Sequence, residues 1–249
     1  MVLQMVKKIW NNFKGLRKIA AVGLVFILGG CMYPDDKLQQ NQIPYQDQVE
    51  SVQRAVKEYQ KDNGGILPIV TKDKSTPYYV KYVIDFKKIV PKYIAEVPGN
   101  AFENGGIFQY TIIDEEKNPT VKLIDIRMAE KLKEIRMQIQ TQGYPAFDEK
   151  IAKNVYTLNY EKMGFKEQPT VKSPFTGQSL YVVMAGDGEL YVDYTPDLYK
   201  KGMDKKAKIA TGKDIRHLLT DDSLFVPAFS LPYTWDQKSN KPVFMANEE

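Results

Sequence analysis

The sequence predicts an α+β protein made of two tandem units. Each is a helix followed by a β-hairpin on a small antiparallel sheet, and the pair follows an N-terminal signal segment and a flexible tether. Three observations predict it. Two stretches, near residues 49–62 and 128–142, carry apolar residues at helical spacing; a turn-rich block with a Phe follows each; and each block leads into two β-type runs joined by a short polar loop. The chain has 249 residues, 43% hydrophobic and 27% charged, with one Cys and one His. That length suits one large domain or two small ones with real cores.

The first segment lies outside the fold. Lys7, Lys8, Lys14, Arg17 and Lys18, with no acid among them, precede an apolar run that begins at Ile19 and closes on Leu28, Gly29, Gly30 and Cys31. The run is about half of the roughly 20 apolar residues a helix needs to cross hydrocarbon. Basic residues, a short apolar stretch and small residues at a cleavage point make an export signal rather than a span. The four closing residues resemble the lipobox of bacterial lipoproteins. That resemblance implies cleavage of residues 1–30, a diacylglyceryl group on the Cys31 sulfur, and a chain lipid-anchored to the extracytoplasmic face of the cell membrane. Two acyl chains, at about 0.8 kcal/mol per buried CH₂, give the stable anchoring that one does not.

Cleavage also changes the charge. Five cations leave with the signal, so the formal net charge falls from +4 to −1. The basic balance of the whole chain therefore gives no support to nucleic-acid binding, which needs a basic patch on the folded domain. With its one Cys alkylated, the chain is expected to lack disulfides, thiolate chemistry and thiolate metal sites, and to depend on packing for stability.

Residues 31–48 are rich in Asp, Gln, Asn and Pro and read as the lipidated Cys and its tether, with the folded part starting near Tyr45. The first α+β unit is expected over 49–126. Val49, Val52, Ala55, Val56 and Tyr59 make one helix face, and Asn63-Gly64-Gly65 stops the helix. The runs Ile66–Val70 and Tyr78–Ile84 read as strands, Phe86–Tyr93 as a segment broken by Pro91, and 97–106 as turns. Ile107–Ile113 and Thr120–Ile126 then form a hairpin around the polar loop 114–119.

The second unit is expected over 127–199. Met128, Leu132, Ile135 and Ile139 mark its helix, stopped by Gly143-Tyr144-Pro145. A loop, the strand-like stretch Val155–Tyr160 and the turn block 170–177 follow. Leu180–Ala185 and Glu189–Tyr194 then flank the tight turn Gly186-Asp187-Gly188. Residues 200–249 read as a charged linker, a short helix near Asp214–Leu219, and an irregular tail whose aromatics, from Phe225 to Phe244, pack on the domain.

Chemistry-bearing patterns are few. His217 has no cluster of candidate ligands beside it and reads as a surface or half-buried helix residue. Asp187 and Glu189 read as turn residues, because a calcium site needs about six to eight oxygen ligands. Asp221-Asp222 reads as a turn or helix cap, and no catalytic glycine elbow, phosphate-binding loop or zinc-protease signature is present. No cofactor, metal or catalytic residue is expected.

Two further resemblances attach to particular residues. Val52 to Val97, with Ala55-Val56-Lys57-Glu58-Tyr59 leading to Asp62-Asn63-Gly64 and then Val90-Pro91-Lys92-Tyr93-Ile94, resembles the helix, loop and turn of type IV pilin head domains, which implies a local fold only. Cys31-Met32-Tyr33-Pro34, Asn41-Gln42-Ile43-Pro44-Tyr45, Gly64-Gly65-Ile66-Leu67-Pro68-Ile69 and Ala101-Phe102-Glu103-Asn104-Gly105-Gly106 resemble an uncharacterised group of Gram-positive, bacillus-type lipoproteins, the YphF-like group. This second resemblance spans most of the mature chain and implies no particular activity.

The resulting expectation is a non-catalytic, membrane-anchored extracytoplasmic lipoprotein that binds an envelope protein or a cell-wall component. The alternative is a solute-binding lipoprotein of an import system. A third reading, a hydrolase working through paired carboxylates, would need two acids converging in one cleft.

Overall fold

The computed structural model describes residues 42–205 and 211–245. The chain divides into Met1–Ile43 and Pro44–Glu249, and the second of these carries the fold. Leu28, Gly29, Gly30 and Cys31, with the export signal and most of the tether, lie outside the described residues. Among the described residues no helix is long and apolar enough to cross a membrane.

The architecture is α+β, with helices packed on small antiparallel sheets. Helix α1 runs Gln42–Asp62. It begins within the stretch that composition marks as tether, because Tyr45 already has a partner, its ring meeting Phe108 edge-on at 5.1 Å. Val49, Val52, Ala55 and Val56 are buried, and Tyr45 and Tyr59 extend the stripe. The three valines contribute roughly 5 kcal/mol of burial between them.

Neither β-type run after α1 forms a full strand. Ile66–Val70 makes an isolated bridge, Ile69 to Ile84, and the Ile69 N–H closes a tight turn onto the Leu67 carbonyl at 2.9 Å. Tyr78–Val80 is a 3₁₀ turn started by Pro77, so only the end of the second run pairs. It does so usefully: the Ile84 N–H donates to the Tyr110 carbonyl, and the Ile112 N–H to that of Tyr82. A one-turn helix, α2 (Phe86–Ile89), is capped by the Asp85 side chain.

Strands β1 (Phe108–Ile113) and β2 (Thr120–Asp125) form the expected hairpin, with Phe108 opposite Asp125 and Ile113 opposite Thr120. The far edge of β2 is covered from the C-terminal end of the chain. Leu123 donates to the Leu224 carbonyl, Val226 donates back to Leu123, and Phe225 enters the first core beside Phe108. The C-terminal segment is thus a structural part of the first unit.

Helix α3 (Ile126–Gln142) starts at Asp125, whose carboxylate accepts from the Arg127 N–H at 3.0 Å. Its buried Met128, Leu132 and Ile135 face a four-stranded sheet rather than a lone hairpin. The order is β3 (Phe147–Ala152), β4 (Val155–Leu158), β7 (Val182–Ala185) and β8 (Leu190–Val192). β3 corrects the loop expected there; as an almost fully exposed edge strand with two register shifts and the charges Asp148, Glu149 and Lys150, it carries none of the alternation that marks a half-buried strand. The short pair β5 (Val171–Lys172) and β6 (Ser179–Leu180) splits the second predicted hairpin at exposed Tyr181.

The first part of the expected linker Lys200–Lys213 is helical instead, and residues 206–210 of it lie outside the described residues. Helix α4 spans Thr195–Lys205, begun by Thr195-Pro196-Asp197 with the Thr195 N–H held by Asp193 at 2.8 Å. Gly202 sits in this helix because a Cβ there would overlap the Trp235 ring. Helix α5 (His217–Thr220) leads to a hairpin of β9 (Tyr233–Asp236) and β10 (Lys241–Phe244), which gives regular form to the predicted aromatic tail.

Two main cores result, one under α1 and one under α3, and Phe175 packs against both. Polar contacts join the same halves. The half-buried Lys122 ammonium donates to the carbonyls of Thr220 and Ser223, and burial holds its pKa below the ordinary lysine value. Arg216 pairs with Asp214 at 2.7 Å, donates to the Ser230 carbonyl and lies over the Tyr79 ring.

Candidate functional site

One stripe of α1 faces away from the core. Gln48, Ser51, Arg54 and Glu58 follow one another at spacings of three, three and four residues, which aligns them on one side of the helix. Opposite them runs the chain from Tyr93 to Gly99, and the two walls enclose an open groove of about 590 Å³.

Both ends of the groove are fixed. At one end the Asn100 N–H donates to Gln48 Oε1 at 3.3 Å. Asn100 is itself held from behind by the buried Tyr110 hydroxyl, which donates to its Oδ1 at 2.6 Å and whose pKa burial pushes up to about 12. Gly106 completes this turn, because a Cβ there would run into the Asn100 backbone. At the other end the Tyr59 and Tyr93 rings meet edge-on at 5.4 Å. Lys92 Nζ and the Tyr93 hydroxyl both donate to Asp62 Oδ2, at 3.0 and 3.2 Å, and these two donors hold the Asp62 carboxyl below the ordinary aspartate value. From Gln48 to Tyr59 the helix rises roughly 17 Å. That is the length of about five residues of extended chain.

Between these ends lie Arg54, Glu58 and Glu96, all exposed. None makes an ion pair among the described residues, although Arg54 and Glu58 stand four residues apart on one helix. The groove therefore presents one cation and two carboxylates to solvent between rigid ends. This arrangement suits charge-complementary recognition of an extended polar ligand.

The residues singled out from sequence lie elsewhere. His217 is an exposed residue at the start of α5, its Nδ1 3.2 Å from the Asp214 carbonyl oxygen. Asp187 accepts from the Glu189 N–H within the β7–β8 turn, and Glu189 pairs with Arg136 at 2.7 Å. Asp221 is the C-cap of α5, and Asp222 lies 3.9 Å from Lys201. Among the described residues no group of three or more His, Cys, Asp or Glu side chains is placed to hold a metal ion. The groove residues carried no sequence signal beyond the polar face of an amphipathic helix, because the opposite wall comes from a turn block some 40 residues later.

Residues 45–125 match the YphF family N-terminal domain. The matched segment supplies both walls of the groove and the Tyr110 hydroxyl that braces its end. No curated protein and no solved structure matches the chain.

Proposed function

We propose that this chain is a YphF-type lipoprotein, anchored to the extracytoplasmic face of the cell membrane through Cys31. In this reading it binds an extended segment of an envelope protein or a peptide component of the cell wall in the α1 groove, without chemistry of its own. The observation that carries the proposal is the groove itself, fixed at both ends, about five extended residues long, and lined at its centre by charges that make no ion pair among the described residues. A surface kept only for solubility has no need of two clamped ends. The lipobox-like Leu28–Cys31 supports the location, and the YphF-like match over the groove supports treating it as a property of that domain.

The test is site-specific photocrosslinking on intact cells, with the crosslinker at Ser51 in the groove and, as a control, at exposed Lys153 in the β3–β4 turn. A defined adduct is expected from Ser51 alone. Arg54→Glu should lower its yield about tenfold, since a charge-assisted hydrogen bond is worth roughly 1.5–3 kcal/mol. Equal adducts from both positions, or none from Ser51, would count against the groove as the binding site.

A further inference from the structure

One buried carboxylate lies outside the groove and has an unpartnered oxygen. Asp197, in the first turn of α4, is fully buried. Its two oxygens are treated very differently. Oδ1 accepts from the Ser173 hydroxyl at 2.9 Å, the Thr176 hydroxyl at 2.6 Å and the Gln178 amide at 3.3 Å, while Oδ2 is buried with no partner. Buried polar atoms are almost always hydrogen-bonded, so an orphan carboxylate oxygen calls for a physical reason. A proton on Oδ2 lowers the cost: the O–H it creates still lacks an acceptor, but the buried charge is gone and Oδ1 keeps all three of its donors.

The three donors belong to one loop, residues 173–178. Ser173 Oγ also accepts from the N–H groups of Phe175 and Thr176, which closes the loop on itself. Phe175, carried at its centre, packs against both main cores and meets Tyr194 edge-on at 5.9 Å. The groups facing Asp197 are thus Ser173, Thr176 and Gln178 from the loop, the Tyr194 phenol, and the Lys200 ammonium further along α4.

We propose that Asp197 is a proton-operated latch: with a proton on Oδ2 it holds the Phe175 loop, and the junction between the two cores, more firmly than when it is ionised. The electrostatics agree in direction: burial raises the Asp197 pKa above the ordinary aspartate value, and this outweighs the three loop donors and Lys200, which lower it. The sign for stability follows. A folded-state pKa above the unfolded one means that the folded protein binds more protons between the two values. The latch contributes fully below the unfolded value and is lost as pH rises through the folded one.

Two measurements on the full chain test this. Carbon-detected NMR should place the Asp197 carboxyl midpoint above the ordinary aspartate value and above that of Asp236, which its Ser239 and Lys238 hydrogen bonds hold low. Hydrogen exchange at the Phe175 and Thr176 amides, corrected for intrinsic rates, should slow on acidification, by about tenfold for each pH unit separating the Asp197 midpoint from its unfolded value. Asp197→Asn should abolish that pH dependence. An Asp197 midpoint at or below the ordinary value, or amide protection that ignores pH in the unaltered protein, would overturn the latch, and both readings hold even if the Asn variant fails to fold.

Discussion

Gly202→Ala puts the packing of the C-terminal segment to a direct test, because two effects of opposite sign meet at one atom. In an unconstrained helix interior, replacing Gly by Ala stabilises by about 1 kcal/mol. Here the new methyl would be built into Trp235, at Cζ3 and Cη2 of the indole. The ring has little room to yield, being buried in the second core, stacked on Tyr199 at 6.4 Å and held through Nε1 to Asn240 Oδ1 at 3.3 Å. Forcing a methylene-sized group into such a site costs typically about 1–3 kcal/mol. The expected net is a loss of about 1 kcal/mol, or a fall in Tm of about 2–4 °C for a domain of this size. Urea unfolding followed by tryptophan emission reports it, since Trp235 is one of only two tryptophans in the chain. A Gly202→Ala variant as stable as, or more stable than, the parent would show that the Trp235 ring is free to move and that Gly202 is not required by it. Pairing it with Trp235→Phe should relieve the overlap and yield a positive coupling between the two sites.

Other expectations concern the groove and the joints between the halves. Tyr110→Phe removes the donor that braces Asn100 and should cost about 1–3 kcal/mol in denaturant unfolding, because the Asn100 amide, whose Nδ2 is already buried without a partner, then loses its last side-chain bond. Lys122→Met removes the ammonium that donates to the Thr220 and Ser223 carbonyls, of which Thr220 keeps only the long bond from the Ser223 N–H; a drop of about 1–3 kcal/mol is expected, with faster hydrogen exchange at Leu123 and Val226, where the C-terminal segment joins β2. The Asp62–Lys92–Tyr93 clamp depends on an ionised Asp62 whose pKa is depressed in the fold, so its contribution is present above the unfolded value and is lost as pH falls through the folded one; NMR shifts of Tyr59 and Tyr93 should follow that titration. A thermal-shift panel of amino acids, sugars and short peptides separates the two binding readings, since a solute at 100 times its Kd would stabilise by about 2.7 kcal/mol, whereas a partner protein requires no such shift from any small molecule.

What the sequence disclosed follows the strength of its periodicity. The stripes Val49–Val56 and Met128–Ile139 each bury one face, the hairpin Phe108–Asp125 is buried on both over much of its length, and their apolar and β-branched runs announce all three. Strand β3 was hidden because both of its faces are wet, and helix α4 because its glycine and lysines resemble a linker until Trp235 is seen to require Gly202. Ile66–Val70 and Tyr78–Ile84 have strand composition but form only isolated bridges near Ile69 and Tyr82–Ile84, since Pro68 and Pro77 turn the chain before a longer ladder can form. The return of Phe225 to the first core is a contact across about a hundred residues, which local pattern does not encode. The groove was invisible for the same reason, its walls being joined only by the fold. Asp197 carries no signal in the sequence, and only its burial against residues 173–178 sets it apart.

The proposed tether would hold this groove at a membrane surface, and the chemistry of Cys31 decides whether it exists. Mass spectrometry of the N-terminal peptide from protein extracted with the membrane fraction is predicted to show a chain beginning at Cys31 with a diacylglyceryl thioether on its sulfur, and Cys31→Ala is predicted to abolish that species. A peptide that retains residues 1–30, or one that begins at Cys31 with a free thiol, would contradict it.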